Sequence, residues 1–243
     1  MRIAIISDIH ANLEALQSVL SLLGRLKIDR YVCLGDFVGY GANPEEVISL
    51  LRVMCDTSVM GNHDAAVCGQ MDFTHYYGEA REVLLWTKDA MSAEAGQFLC
   101  ELPYFRVEGD ICWVHGSPVD PAEFHYVYTL DQAQMLVKHY DNLKDITFVG
   151  HSHLRRIYEI YPDRALEINV DNFTMQDGRK YIIAVGSVGQ PRDYDPRAAF
   201  VIYDIDNRRV EFYRVPYDID KAAEKIINAG LPEFFASRLY SGS

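Results

Sequence analysis

The sequence predicts an α/β fold with a largely parallel sheet in its first half and antiparallel strands in its second. Three observations point there. Through residues 1–60, short apolar runs alternate with amphipathic stretches, a strand–helix–strand–helix–strand rhythm that right-handed crossovers convert into parallel strands. Several apolar runs stop in Asp, Asn or His, placing polar side chains at strand ends. Beyond residue 153 the chain is mainly strand-like, with turn signals at Gln176-Asp177-Gly178 and Asp206-Asn207 that suggest antiparallel hairpins.

Residues 2–7 are apolar almost throughout, as a strand covered on both faces should be. Leu13, Leu16, Val19, Leu20 and Leu23 then recur at helical spacing behind Asn12, a helix cap. A second strand spans 31–34 and leads into the glycine-rich loop Phe37–Ala42, expected near a site. Asn43 caps the next helix, with Pro44 in the first turn and Glu45-Glu46 complementing the dipole, and it runs to about Met54. A strand over 58–60 follows. Residues 65–101 contain no convincing strand, and 78–91 and 93–102 read as helices stopped by Pro103. The span 65–104 is thus a helical insert in one domain covering 1–243, and its aromatics Tyr76, Tyr77 and Trp86 are expected to pack. Strands resume at 105–107 and 111–114 across the turn Glu108-Gly109-Asp110. Thr129 with Gln132 forms a capping box for a helix reaching about Tyr140. Strands at 146–149, 157–161, 166–170, 181–185, 199–205 and 209–215 precede a helix over 219–228 and a short helix or tail over 232–240.

With 243 residues, 49% of them hydrophobic, the chain can bury one sizeable core. Its formal charge of −12 repels a phosphate backbone, so extended nucleic-acid binding is not expected. The 5 cysteines are odd in number and form no C-x-x-C, reading as buried or free thiols of a reducing compartment. The first apolar run is cut by Asp8 and is too short for a signal peptide, and no run is long enough to span a bilayer. A soluble cytoplasmic protein is the expectation.

The strand ends carry the chemistry. Ile3–Ile6 leads to Asp8 and His10, Tyr31–Leu34 to Gly35-Asp36, and Ser58–Met60 to Gly61-Asn62-His63-Asp64. Ile111–Val114 leads to His115, and Thr147–Val149 to Gly150-His151-Ser152-His153. Asp, Asn and His suit a borderline divalent metal, and open α/β sheets place ligands beyond the carboxyl ends of their strands. Each ending alone reads as a turn or a satisfied polar residue, and that reading is kept for His75, His125 and His139. Recurrence sets Asp8, His10, Asp36, Asn62, His115, His151 and His153 apart as ligand candidates. A shared carboxylate such as Asp36 can hold two ions roughly 3.5–4 Å apart, a spacing suited to in-line attack on phosphorus. Imidazole ligands must be neutral, so affinity should fall in acid. His63, next to Asn62, cannot share its direction and can sit over a leaving group. Asp64 beside it is expected to orient it and raise its pKa, making it a proton donor.

In order, Asp8-Ile9-His10, Gly35-Asp36, Gly61-Asn62-His63-Asp64, Val114-His115-Gly116 and Gly150-His151-Ser152-His153 resemble the signature of the calcineurin-like metallophosphoesterases. The match runs from residue 1 to about 153. The later loop Gly186-Ser187-Val188-Gly189-Gln190-Pro191-Arg192 resembles the bacterial and archaeal small-phosphoesterase branch. The resemblance implies an αββα sandwich of two mixed sheets flanked by helices. It implies two divalent ions, manganese first, with iron, zinc, nickel or cobalt as alternatives. One would be held by Asp8, His10, Asp36 and His153. The other would be held by Asp36, Asn62, His115 and His151, with Asn62 also touching substrate. The implied reaction is hydrolysis of a small phosphomonoester or phosphodiester, such as a nucleotide or dinucleoside polyphosphate. A metal-bridging hydroxide would attack and His63 would serve as general acid.

One departure matters. The serine/threonine phosphoprotein phosphatases carry Asp-Arg-Gly after the Gly-Asp pair and Glu after the Asn-His pair. Here Val38-Gly39-Tyr40-Gly41 and Asp64 stand instead. A phosphoprotein phosphatase is therefore an alternative rather than the first reading, as is a non-catalytic metal-binding scaffold of the same fold. Arg192 could supply the missing guanidinium as a bidentate clamp on phosphate. Its plainer reading is a surface arginine near Asp193 and Asp195.

Overall fold

The computed structural model describes residues 1–73 and 78–243, so His75, Tyr76 and Tyr77 lie outside the described residues. In the first half, β1 (Arg2–Ile6), α1 (Leu13–Leu23), β2 (Arg30–Cys33), α2 (Pro44–Met54) and β3 (Thr57–Ser58) alternate as expected. Then come three helices, α3 (Asn62–Val67), α4 (Gly78–Ala90) and α5 (Ala93–Cys100). The hairpin β4 (Phe105–Glu108) and β5 (Ile111–Val114) leads to α6 (Leu130–Met135), a 3₁₀ continuation over Leu136–Asn142, and β6 (Ile146–Val149). The remaining strands are β7 (Arg155–Ile160), β8 (Ala165–Ile168), β9 (Asn172–Thr174), β10 (Lys180–Val185), β11 (Ala198–Asp204) and β12 (Arg209–Val215). Helices α7 (Ile219–Asn228) and α8 (Glu233–Ser241) close the chain.

Two mixed sheets form, ordered β3-β2-β1-β11-β12-β9 and β4-β5-β6-β10-β7-β8. Strands β1, β2 and β3 are parallel, and so are β5, β6 and β10, while the remaining pairings, β1 with β11 among them, are antiparallel. The unbroken apolar run of β1 explains its place. Ile3 and Ile5 face the second sheet, packing in one cluster with Trp113, Phe148 and Ile183. Ala4 and Ile6 face the other way, toward Leu16 and Val19 of α1 and Leu51 of α2. On the far side of the second sheet, Ala133 and Leu136 cover Val114, Tyr158 and Ile182. The layers are helix, sheet, sheet, helix. Burying each such large side chain contributes about 2 kcal/mol, so this double-sided core fixes the relative position of the two sets of parallel strand ends.

Local signals largely act as read. Asn12 Oδ1 accepts from the Ala15 N–H at 3.1 Å, and Thr129 and Gln132 form their reciprocal box at 3.2 and 3.1 Å. Asn43 stands at the N-cap of α2, but its side chain is diverted to Glu46 and Lys225 and caps nothing. Trp86 packs against the α7–α8 cluster, as expected of a core aromatic.

Three expectations are corrected. The strand expected over 58–60 pairs only at Thr57–Ser58, because the chain turns at Gly61 into the short helix α3. The turn at Gln176-Asp177-Gly178 closes no hairpin: β9 pairs with β12 in the first sheet, and β10 with β6 and β7 in the second. The segment is a crossing between sheets. The cysteines are not all free. Cys68, at the end of α3, and Cys100, at the end of α5, form a disulfide with Cα atoms 5.4 Å apart, leaving Cys33, Cys55 and Cys112 unpaired. Burial pushes the Cys55 thiol up to about 12 and the Cys112 thiol up to about 11. Among the described residues, no helix is long and apolar enough to cross a membrane.

Candidate metal centre

The carboxyl ends of β1, β2, β5 and β6 meet on one side of the sandwich, and the start of α3 joins them. Two groups of donors form there. Asp8, His10, Asp36 and His153 make one, and Asp36, His115 and His151 the other; within each group the donor atoms lie within 4.8 Å of one another. Asp36 belongs to both. Asn62 completes the second side, its Oδ1 3.1 Å from His115 Nε2. All seven side chains are buried.

The backbone is bent to achieve this. Asp8, His10, Asp36, His151 and His153 all take positive φ, between 47° and 64°. Residues in this left-handed region cost on the order of 1 kcal/mol or more each, a strain that persists at sites where surrounding structure over-determines it. Gly61 permits a close approach: a Cβ there would run into Asp36 Oδ1.

The imidazole tautomers follow from their outer partners. Nδ1 of His10 lies 3.0 Å from the Val38 carbonyl, Nδ1 of His115 lies 2.7 Å from that of Leu34, and Nδ1 of His153 contacts that of Gln190. A carbonyl only accepts, so each Nδ1 carries a proton, and each ring when neutral turns the lone pair of its Nε2 inward. Inside, His10 Nε2 and His153 Nε2 stand 3.1 Å apart, His153 Nε2 is 3.3 Å from Asp8 Oδ1, and His115 Nε2 is 3.3 Å from Asp36 Oδ2. Lone pairs facing lone pairs at such distances repel unless positive charge lies between them. The donor set therefore fits divalent cations, and Asp, Asn and neutral His are what borderline metals take.

Electrostatics agree. Burial opposes ionisation of Asp8 and Asp36, yet the imidazoles around them outweigh it and hold both carboxyls below the usual range. Burial lowers His10 and His153 and, with His115, pushes His151 down to about 3. His115 is the exception: burial works to lower it, but Asp36 and Asp8 lift it to about 9. Without cations, the cage keeps one proton on His115. Cation binding must displace it, so apparent affinity should rise about tenfold per pH unit from pH 7 to about 9 and then level off. Isothermal titration in buffers of different ionisation enthalpy should read one proton released per chain at pH 8. No proton release would contradict this.

His63 follows Asn62 at the start of α3, and its ring centroid lies 4.5 Å from Tyr40 and 4.8 Å from His10. Gly39, at φ +91°, makes room, since a Cβ there would strike His63 Nδ1. The expected support from Asp64 is corrected. Asp64 accepts the backbone N–H groups of Asp36 (2.8 Å), Phe37 (3.0 Å) and Gly61 (3.0 Å), so it braces the two loops that carry the cage. Burial and the charge of Asp36 push its own carboxyl up to about 7. The expected raised pKa of His63 is corrected too: burial, with Arg192 and nearby imidazoles, lowers it to about 4.

Arg192 reaches the same side. Its Nη2 is 3.4 Å from the Tyr40 hydroxyl and donates to Gln190 Oε1 at 3.0 Å. The surface reading does not hold, because Asp193 pairs with Arg214 and Arg155, and Asp195 with Arg197 and Arg214. Among the described residues, Arg192 has no carboxylate partner, and its Nε is buried without an acceptor. Two aromatic neighbours were not singled out from sequence. Tyr40, in the glycine-rich loop, packs on His10, His63 and Phe235, and Tyr126 lies flat on His151 with centroids 3.8 Å apart and rings inclined by 12°. The signal for both was only loop proximity to a motif.

Residues 1–208 match the family model described as the calcineurin-like phosphoesterase superfamily domain. A protein of Methanocaldococcus jannaschii named uncharacterized protein MJ0912 is 39% identical over 246 residues, covering 99% of this chain and 98% of its own. The crystal structure of a metallophosphoesterase from Sphaerobacter thermophilus superposes with a TM-score of 0.85 at 39% identity, covering 100% of this chain and 99% of that one. The hypothetical protein PH1004 from Pyrococcus horikoshii superposes with a TM-score of 0.82 at 21% identity, covering 100% and 98%, and speaks to the fold alone.

Proposed function

The chain belongs to the calcineurin-like phosphoesterase superfamily, whose members are metal-dependent hydrolases of phosphoric esters, and on that footing we propose that it hydrolyses a small phosphomonoester or phosphodiester at a pair of divalent cations, manganese foremost. The observation that carries this is the convergence of buried, inward-facing lone pairs around the shared Asp36. Asp8, His10, Asp36 and His153 would hold one ion, and Asp36, Asn62, His115 and His151 the other. Such ions supply Lewis acidity, acidifying water and polarising phosphoryl oxygens.

The chain's own residues do the rest. Val38, Leu34 and Gln190 hold the imidazoles in register through their carbonyls. Asn62 presents its amide beside the second ion position, where its NH₂ can donate to a phosphoryl oxygen. His63 stands over the cage on α3 and delivers a proton to the departing oxygen. Arg192 offers a guanidinium with no carboxylate partner among the described residues, from beside Tyr40, in the loop where a phosphate-gripping arginine is missing. Replacing it with Gln should raise KM for a phosphate ester about 10- to 30-fold, the worth of one charge-assisted contact at about 1.5–2 kcal/mol. Lys should restore little, because a point charge lacks the planar fork. An unchanged KM in Arg192→Gln would remove Arg192 from the site.

The direct test is hydrolysis of an aryl monoester and an aryl diester by chain reloaded with Mn²⁺ after chelation. Turnover of at least one, abolished by chelator, is expected; turnover of neither would sink the reading. We place the activity in the cytoplasm on the three unpaired thiols, Cys33, Cys55 and Cys112. Thiol labelling of the chain in intact cells decides it.

A further inference from the structure

A cleft of about 670 Å³ opens beside the second ion position, with Asn62 and His151 in its inner wall. That volume equals the liquid volume of roughly twenty water molecules and falls among ligand pockets for drug-sized molecules. A phosphate group alone does not fill it. Its walls come from the loop after β5 and from α6 with its 3₁₀ continuation. Val119, Phe124, Val127, Met135 and Leu136 make them mainly apolar.

The apolar character continues to the surface. Tyr126 is 43% exposed and Met135 64% exposed, with Tyr128 and Leu130 also exposed nearby in sequence. Tyr126 is held flat on His151, and Tyr128 stands edge-on to it at 5.5 Å. A ring fixed in this way is a stacking surface that loses little side-chain freedom when another ring lies against it. Among the described residues the lining carries one lysine, Lys138, and one carboxylate, Glu123, whose charges offset each other, beside His125 and His139. The cleft therefore lacks the cluster of permanent positive charge that a second phosphate calls for.

Resting on the phosphoesterase reading above, we propose that this cleft seats the organic group of the substrate, and that this group is a planar, largely apolar ring without a second phosphate. Polyol phosphates and polyphosphorylated molecules are disfavoured by the same walls.

The test compares phenethyl phosphate with propyl phosphate on the Mn²⁺-loaded chain. Their leaving groups are similar in acidity, so intrinsic reactivity does not separate them. The wild type should prefer the phenethyl ester at least tenfold in kcat/KM. Met135→Glu and Tyr126→Ala should each bring the ratio to within about twofold. Val53→Glu, an 87% exposed apolar position on α2 outside the cleft, should leave the ratio alone. A second readout needs no turnover: 2-naphthol should bind the chelator-treated chain, about tenfold more weakly in Met135→Glu. Equal hydrolysis of both esters without naphthol binding would overturn the cleft assignment and leave the phosphoesterase reading standing. Hydrolysis of neither ester would overturn both.

Discussion

Replacing His63 with alanine is expected to cut kcat on an alkyl phosphate by roughly 10²–10⁴, the usual worth of a positioned proton donor, while cation content stays unchanged. The backbone explains why the two effects separate. It is the main-chain N–H of His63 that binds Asp36 Oδ1, at 2.9 Å, so losing the imidazole leaves that wall of the cage intact. The loss should depend on the leaving group. An alkoxide needs the proton; p-nitrophenolate does not, and its ester should lose about tenfold or less. A second signature comes from charge. In the free chain, burial and then Arg192 and neighbouring imidazoles keep His63 down at about 4, so it is neutral when substrate arrives. A dianion beside it favours the protonated form and raises its pKa. Anion binding should then take up a proton between about pH 4 and the raised value, and tighten as pH falls through that window. Sulfate, which stays a dianion in that range, reads this without titrating itself. His63→Ala should flatten the dependence. Equal losses on both esters, together with an unaltered sulfate profile, would remove His63 from proton transfer.

The cage was legible because its members are chemically loud and lie at strand ends in chain order: Asp8, His10, Asp36, Asn62, His115, His151 and His153 each follow an apolar run. What fixes their geometry was not legible. The carbonyls of Val38, Leu34 and Gln190 orient three imidazoles, and every residue has a carbonyl, so no sequence signal marks them. Asp64 was misplaced for a related reason. Consecutive residues on a helix point in different directions, so the neighbour of His63 in sequence is not its partner in space. It faces the backbone of the Asp36 loop instead. The strand β9 escaped notice because Asn172-Phe173-Thr174 has turn-like surroundings, and its pairing partner β12 lies far along the chain. The Cys68–Cys100 bridge depends on two helix ends meeting, which spacing alone does not reveal. The fold class was readable because apolar periodicity is set by the sheet a strand enters; which sheet β9 and β10 join is set by packing.

Asp36→Asn should take the chain from two bound cations to almost none and lower Mn²⁺-dependent turnover by roughly 10⁴ or more, given how strongly such ions acidify water. The substitution keeps size and shape. The amide oxygen can still accept from the His63 N–H, where Asp36 Oδ1 now does at 2.9 Å. Its NH₂ would then occupy the place of Oδ2, which lies 3.5 Å from His10 Nε2 and 3.3 Å from His115 Nε2. Those inward lone pairs would gain a neutral donor, satisfying on both sides the arrangement that otherwise calls for cations. The fold should survive, because one buried negative charge disappears and no cavity opens. Asp8→Asn provides the contrast. Asp8 belongs to one group of donors only, so its loss should leave about one cation per chain. Thermal unfolding supplies a readout independent of catalysis. A ligand at a hundred times its Kd stabilises by about 2.7 kcal/mol, so Mn²⁺ should raise the wild-type Tm clearly and the Asp36→Asn Tm hardly at all. A variant that still bound two ions, or whose Tm still climbed with Mn²⁺, would mean that Asp36 does not join the two sides of the centre.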